Sequence, residues 1–296
     1  MKFGFIGFGD AAYNICIGLK GRGVAADISA FDVMQDTKPL VRQRAEEAGV
    51  KLLTSQAELA QSVDVVFVVV KPGIDLEIFK GISSVLRPGQ LCADLSASTP
   101  EIKKQIWDVL EPTGVLFADA AMMGLLAINK DQVPVSASGN GAQALYDALT
   151  PLGMKVTVVG DAPGAASGMK LLRSIYMKGH DALFFEMLRA AEKYGIFDEM
   201  IRNVGVSLDP FTIAQQADLV FPGLGIHAAR RATELEGTVE MLEEAGIDAS
   251  MSKAIQRQLE LIAELNLDEV YQGQWDIGRN WRELYHRINE MTAKAE

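Results

Sequence analysis

Cysteine is almost missing from this chain: Cys16 and Cys92 are the only two in 296 residues, and both stand in apolar surroundings. Two such thiols build neither a disulfide framework nor a zinc site. Histidine is nearly as scarce, at three residues, and no His/Cys cluster has metal-ligand spacing. Positive charge is in deficit, with 28 Lys and Arg against 39 Asp and Glu and a net charge of -11. That balance repels phosphate backbones and anionic lipid, which argues against nucleic-acid and membrane-surface partners. Long apolar runs are lacking too. The longest, Val65 to Val70, falls far short of the roughly 20 residues a bilayer needs. Met1-Lys2 leads straight into a strand-like run, the wrong opening for a signal peptide, so a reducing cytoplasm is the expected compartment.

What is present is an ordinary globular composition, 49% hydrophobic and 23% charged, at a length that suggests two domains. The first 160 residues alternate short β-branched runs with helical stretches. Strands are predicted at Lys2–Gly7, Ile28–Asp32, Asp64–Val70, Leu91–Leu95, Val115–Ala118, Val133–Ala137 and Lys155–Val159, with amphipathic helices at Ala11–Gly21, Thr37–Ala48 and Thr99–Leu110. Strand, helix, strand at this spacing reads as βαβ units in a mostly parallel sheet, covered on both faces. After Gly160-Asp161-Ala162-Pro163-Gly164 the alternation stops. The remainder reads as helices, broken near Asp209-Pro210, Phe221-Pro222-Gly223 and Ala245-Gly246. The expected architecture is an α/β Rossmann domain over 1–162 followed by an all-α domain over 163–296.

The first strand leads into Gly7-Phe8-Gly9-Asp10-Ala11-Ala12 and then a helix. Gly7 permits a tight turn, Gly9 lets backbone approach a pyrophosphate, and Ala12 is small enough for helix–strand packing. The helix start adds amide donors and partial positive charge. Asp32 follows 25 residues after Gly7, where a carboxylate takes ribose hydroxyls and repels a 2′-phosphate. NAD is therefore favoured, with NADP as the alternative if Lys38, Arg42 or Arg44 folds back to hold that phosphate. Gly7, Phe8, Gly9, Asp10, Ala11 and Asp32, with Val70, Lys71 and Ser96 at later strand ends, form the candidate cofactor set.

Four segments in order resemble the β-hydroxyacid dehydrogenase family, relatives of 3-hydroxyisobutyrate and 6-phosphogluconate dehydrogenases. They are the glycine turn; Asp94-Leu-Ser96-Ala-Ser-Thr-Pro100; Asp119-Ala-Ala-Met-Met123-Gly124-Leu125; and Gly164-Ala-Ala-Ser-Gly168-Met-Lys170 with Ser174 following. The resemblance implies that Lys170 is the catalytic lysine and that Ser96 contacts substrate. Met123 and Leu125 stand where the family has Ser and a second Gly, and Ser174 where it has Asn, which predicts a more apolar pocket near Met123. The helix Arg173-Ser174-Ile-Tyr-Met-Lys178-Gly and the later His227-Ala-Ala-Arg230-Arg231-Ala-Thr-Glu234 are similar to one branch of the superfamily in which both segments occur together. Gly4-Phe-Ile-Gly7 and Val70-Lys71-Pro72 also look like pyrroline-carboxylate reductase, but that family's next landmark is absent, so the overlap is taken as shared fold.

Oxidising an alcohol requires hydride removal and a base for the hydroxyl proton, and a buried lysine can be that base. At ~100° per residue, Ser174, Met177 and Asp181 lie within about 40° of Lys170, with Lys178 at the stripe's edge. Arg173 or Lys178 nearby would favour a neutral Lys170, and Asp181 would oppose that. Ser174 reads as either a hydroxyl contact or a helix-packing serine, and Arg173 and Lys178 as either anion ligands or surface. Ser96 is either functional or a helix cap, and Met122-Met123 either lines the pocket or packs a strand end. His227 and Arg231 cap the substrate pocket or join a surface ion network; His180 and His286 are read as structural. The aromatic tail of Trp275, Trp281 and Tyr285 is read as core or subunit interface. Taken together these features predict an NAD-dependent dehydrogenase for a small β-hydroxy acid or related alcohol, with Lys170 and Ser174 catalytic and Ser96, Met123, Gly124, Lys178, His227 and Arg231 binding substrate. The rivals are an imine or keto reductase of the same fold and a non-catalytic nicotinamide sensor. Apolar stripes in the helical domain predict a homodimer formed through it.

Overall fold

The computed structural model describes residues 1–267 and 281–292. Its chain divides into two compact units, Met1–Ile175 and Tyr176–Glu296. In the first, the described residues build an eight-stranded sheet in the order β3-β2-β1-β4-β5-β6-β7-β8. The strands are β1 (Lys2–Ile6), β2 (Asp27–Phe31), β3 (Lys51–Leu52), β4 (Val65–Val68), β5 (Leu91–Asp94), β6 (Leu116–Met122), β7 (Val135–Ser138) and β8 (Val156–Gly160). All neighbours run parallel except β6 and β7. The helices of this unit are α1 (Asp10–Gly21), α2 (Pro39–Ala48), α3 (Gln56–Ser62), α4 (Asp75–Ile82), α5 (Pro100–Leu110), α6 (Leu126–Asn129) and α7 (Ala142–Leu149). Every predicted strand is found, and β6 runs four residues beyond its expected end. Strand β3 and helices α3, α4, α6 and α7 went unpredicted; two residues of strand are too few to show an alternation.

The continuous apolar run of β4 has a simple cause. All four of its residues are buried: Val65 and Phe67 enter the core on one face of the sheet, and Val66 and Val68 the core on the other. Alternate side chains of a strand point to opposite faces, so a strand covered on both sides needs no polar position. On the first face Phe67 stacks on Phe5 at 4.8 Å between ring centres and on Phe3 at 6.1 Å. On the second, Gly4 lies so close to α3 that a Cβ would stand 2.7 Å from Leu59 Cδ2.

The second unit is helical throughout its described length. Helix α8 (Ala165–Lys193) begins in the first unit and ends in the second; α9 (Phe197–Leu208), α10 (Ile213–Glu244) and α11 (Ser250–Glu264) follow, then the helix Trp281–Thr292. The start of α11 has no capping side chain of its own. Glu186 supplies one instead, its carboxylate accepting from the N–H groups of Met251 and Ser252, each at 2.9 Å, and from Ser252 Oγ at 2.6 Å. A carboxylate at a helix start satisfies orphan amides and meets the positive end of the dipole.

One predicted break is wrong. Helix α10 runs unbroken through Phe221-Pro222-Gly223, so the expected Pro-Gly-Leu-Gly loop before His227 is helix. Proline cannot donate to the carbonyl four residues back, a cost of about 3 kcal/mol in a helix interior. Two features offset it: the capping box of Thr212 and Gln215 that starts the helix, and packing, with Pro222 and Gly223 both buried and Phe221 stacked 5.8 Å from Trp281. The breaks near Asp209 and Ala245 are present. Trp281 and Tyr285 flank Phe221, while Trp275 lies outside the described residues.

Phe67 carries much of the first core's contact, and truncating it leaves a cavity its strand neighbours cannot fill. Phe67→Ala is expected to destabilise the protein by about 3–5 kcal/mol, read as a lower urea midpoint.

Candidate active site

The C-terminal ends of β1, β2, β4, β5 and β6 lie along one edge of the sheet, where doubly wound sheets take their ligands. Gly7 leaves β1 with φ +91°, and a Cβ there would stand 2.2 Å from Val69 O. Conformation and space therefore both demand glycine. Gly9 caps α1 without any side-chain acceptor, and the place its Cβ would take is open. Uncovered amides at a helix start suit an anion such as a pyrophosphate. Phe8 is fully buried and offers this edge its backbone, while Ala11 packs against the sheet core. Asp10 is exposed in the first turn, and its carboxylate pairs with Arg44, whose guanidinium also lies 5.3 Å from the centre of the Tyr13 ring. That pairing offsets a charge that would repel an anion at the helix start.

Asp32 follows β2 directly. Its Oδ2 accepts from the Phe8 N–H and its Oδ1 from the Met34 N–H, each at 2.8 Å. A carboxylate has about four acceptor sites, so acceptor capacity remains for ribose hydroxyls. Of the basic residues that would favour a 2′-phosphate, Arg42 pairs with Asp36 and Arg44 with Asp10, while Lys38 stands exposed at the start of α2. The residues of this edge thus fit a dinucleotide. Lys71 is exposed. The Val70 N–H donates to Ser96 Oγ at 3.2 Å, and the Ser96 N–H donates to Asp94 Oδ1 at 3.0 Å, so buried Ser96 joins the segments after β4 and β5. Thr99, rather than Ser96, caps α5, its hydroxyl accepting from the Ile102 N–H at 3.4 Å.

Beneath this edge lies a charged cluster that sequence reasoning missed. Lys103 of α5 is 0% exposed. Its ammonium donates to Asp94 Oδ2 at 2.5 Å and to Ser96 O at 2.9 Å, with Asp75 Oδ2 at 3.8 Å and Asp119 Oδ1 at 4.0 Å. All three carboxylates are themselves fully buried. Burial and the neighbouring Asp75 push the Asp94 carboxyl up to about 7, against the opposing pull of Lys103. One cation among three carboxylates leaves room for a shared proton. The one available signal was spacing: Lys103 falls in register with buried Ile106 and Leu110, on the apolar face of α5.

Asp119 connects this cluster to Lys170. One of its oxygens accepts from the N–H groups of Gly164 at 3.1 Å and Ser167 at 2.9 Å, and the other from Ser167 Oγ at 2.5 Å. Ser138 Oγ donates to Asp119 at 3.2 Å and accepts from the Ala166 N–H at 3.0 Å. The first turn of α8 is thereby pinned to β6 and β7, with Lys170 three residues beyond Ser167. Lys170 is half-buried, and its amine lies below the usual lysine range because of burial and the charge of Lys103, with Asp119 opposing. Ser174 Oγ donates back to Lys170 O at 3.1 Å, a bond within the helix.

Where β6 ends, the Met123 N–H donates to Pro134 O at 2.7 Å. Gly124 is exposed, and the Asn129 side chain fills the space beside it. Leu125 and Ile128 are 67% and 74% exposed, so this segment presents apolar side chains outward. The other predicted residues belong to the second unit. Lys178 is exposed on α8; His227 and Arg231 lie one turn apart on α10, where the Arg231 guanidinium rests against Gly223. Arg230 instead pairs with Glu234 at 3.6 Å on the exposed side.

Comparison with known proteins agrees with this geometry. Residues 2–160 match the family described as the NAD binding domain of 6-phosphogluconate dehydrogenase. The chain belongs to the β-hydroxyacid dehydrogenase superfamily. It carries the NAD-binding domain of that superfamily, whose members are NAD(P)-dependent oxidoreductases. Residues 191–262 match a domain of unknown function, DUF1932. L-threonate dehydrogenase of Cupriavidus necator is 26% identical over 64% of this chain and 67% of its own. Pyrroline-5-carboxylate reductase of Pseudomonas aeruginosa is 26% identical over 89% of this chain and 98% of its own. The crystal structure of a conserved hypothetical protein from Sinorhizobium meliloti is 29% identical over 98% of this chain and 96% of its own, with a TM-score of 0.59. Among the described residues no helix is long and apolar enough to cross a membrane.

The raised Asp94 carboxyl has a measurable consequence. Between about pH 4 and 7 the folded chain keeps a proton there that the unfolded chain has released, so this group's stabilisation is lost as pH rises through that window, at no more than about 1.4 kcal/mol per pH unit. Urea midpoints from pH 4.5 to 8 should decline less steeply in Asp94→Asn than in the parent below pH 7. Parallel curves would contradict the assignment.

Proposed function

We propose that this protein is an NAD-dependent dehydrogenase that oxidises the hydroxyl of a small β-hydroxy acid or related alcohol, with Lys170 as general acid/base. The observation that carries the reading is Lys170 itself: a half-buried lysine with a lowered proton affinity, on a helix whose start Asp119 binds to the sheet edge. The nicotinamide, when bound, supplies the hydride acceptor. Gly7 and Gly9 would hold the cofactor's pyrophosphate and Asp32 its ribose, and the pairing of Arg42 and Arg44 with acids favours NAD over NADP. Lys170 in its neutral form takes the hydroxyl proton as the C–H hydride leaves, and returns it in the reverse direction. Oxidation therefore gains rate as pH rises through the Lys170 titration, below the ordinary lysine range. The departure at Met123 and Leu125 from the family's polar residues, with Leu125 and Ile128 turned outward, favours a substrate carrying an apolar or aryl group. Ser174, Ser96 and Gly124 are proposed as further substrate contacts. The protein is proposed to act as a homodimer through its helical domain, because α8 exposes Leu172, Ile175, Tyr176 and Leu183 along one side, an apolar stripe of the kind a partner covers. Light scattering returning a monomer at micromolar concentration would remove that part.

The deciding assay measures initial NADH and NADPH formation over 3-hydroxy acids, sugar acids and aryl-bearing hydroxy compounds, with Lys170→Ala in parallel. Turnover with NAD that falls by about 10²–10⁴-fold in the variant, with NADH binding retained, is the expected result. A variant as active as the parent would discard Lys170 as the acid/base. Reduction of cyclic imines without oxidation of any alcohol would instead favour the reading suggested by the likeness to pyrroline-5-carboxylate reductase.

A further inference from the structure

A lysine on the buried face of α5 calls for a reason, because an apolar residue at such a site is often neutral or even stabilising. The partners of Lys103 supply one. Asp75 begins α4, and its Oδ1 accepts from the Gly73 N–H at 3.2 Å, in the segment after β4. Its Oδ2 has no hydrogen-bond partner, and the Lys103 ammonium 3.8 Å away is its compensating charge. Asp94 and Ser96 O belong to the end of β5 and the segment after it, and Ser96 Oγ receives the Val70 N–H. Asp119 belongs to β6 and binds the start of α8. A single ammonium thus faces the start of α4, the end of β5 with the segment after it, and the β6 residue that binds the start of α8.

We propose that Lys103 is a positioning residue for Lys170: from its buried place among Asp75, Asp94 and Asp119 it holds the segments after β4 and β5 and the start of α8 in one arrangement, and presents a fixed positive charge to the reacting amine. The inference rests on the proposed role of Lys170 for its catalytic meaning, although its physical content can be read without turnover. The charged groups that bear on Lys170 are Lys103 from α5 and Asp119 from β6, and its own helix carries Arg173, which is exposed. Lys103 disfavours the protonated amine and Asp119 favours it, so removing either charge moves the titration in opposite directions.

The test follows Lys170 acetylation by acetic anhydride against pH, read by peptide mass spectrometry, in the full-length protein, its Lys103→Met and Lys103→Arg variants, and Asp119→Asn. Lys103→Met should raise the labelling midpoint by about half a pH unit or more, Lys103→Arg should restore it, and Asp119→Asn should lower it. In the oxidation assay the rising limb of kcat/KM against pH should move with the labelling midpoint. A Lys103→Met protein that folds, melts lower and leaves the midpoint unmoved would make Lys103 a purely structural ion and overturn the proposal. If Lys103→Met does not fold, Lys103→Gln is read by the same criterion: an unmoved midpoint overturns the proposal. The two readings fail separately. Full turnover in Lys170→Ala removes the catalytic role of Lys170 while the labelling shift stands, whereas an inactive Lys170→Ala with an unmoved Lys103→Met midpoint removes only the role of Lys103.

Discussion

Three buried carboxylates meet one buried ammonium at the heart of this sheet edge, and the rest of the site is arranged around that meeting. A buried charge is costly, and three carboxylates and an ammonium are tolerable here only together, in close geometry and with most of their hydrogen-bonding capacity used. Asp119 meets that condition most fully, since the hydroxyls and amides that satisfy it are those of Ser138, Gly164 and Ser167. The same bonds that pay for its burial also fix where α8 begins. Lys170 takes its place on the molecule from that start.

The cofactor half of the edge depends on backbone rather than charge. Gly7 can turn in the left-handed region against Val69 because it has no side chain, and the turn delivers the Phe8 N–H to Asp32. Asp32 is therefore an internal anchor of the loop with acceptor capacity to spare. Asp10, a residue of the wrong charge for an anion-binding helix start, is neutralised by Arg44, and the same pairing withdraws Arg44 from any 2′-phosphate.

Family membership and local chemistry diverge at one place. The NAD-binding domain is that of 6-phosphogluconate dehydrogenase, and the relatives include L-threonate dehydrogenase. The segment that follows β6 nevertheless carries Met123, Leu125 and Ile128, with Leu125 and Ile128 largely exposed. At this segment the chain departs from the Ser and second Gly of the family, with Met123 and Leu125 in their places.

Much of the fold was legible from local pattern. Both-face burial makes a run such as Val65–Val70 apolar throughout, turn chemistry makes Gly7 a glycine, and the end of alternation near Gly160 marks the change to helices; each of these is written in neighbouring residues. Lys170 was legible by resemblance, through the Gly-rich lead-in and its spacing. Three things were not. Proline at 222 argues for a break on local grounds, and only packing around Phe221 and the capping box upstream carry α10 through it. Glu186 gives no sign in sequence that it caps a helix more than sixty residues away. Lys103, Asp75, Asp94 and Asp119 come from four separate elements, so nothing in a linear reading joins them. Sequence by itself determined most of the strands, the glycine turn and the candidate amine of Lys170, because those depend on residues close together in the chain. Tertiary structure alone decided which charges surround that amine, because electrostatic interaction depends on distance in space.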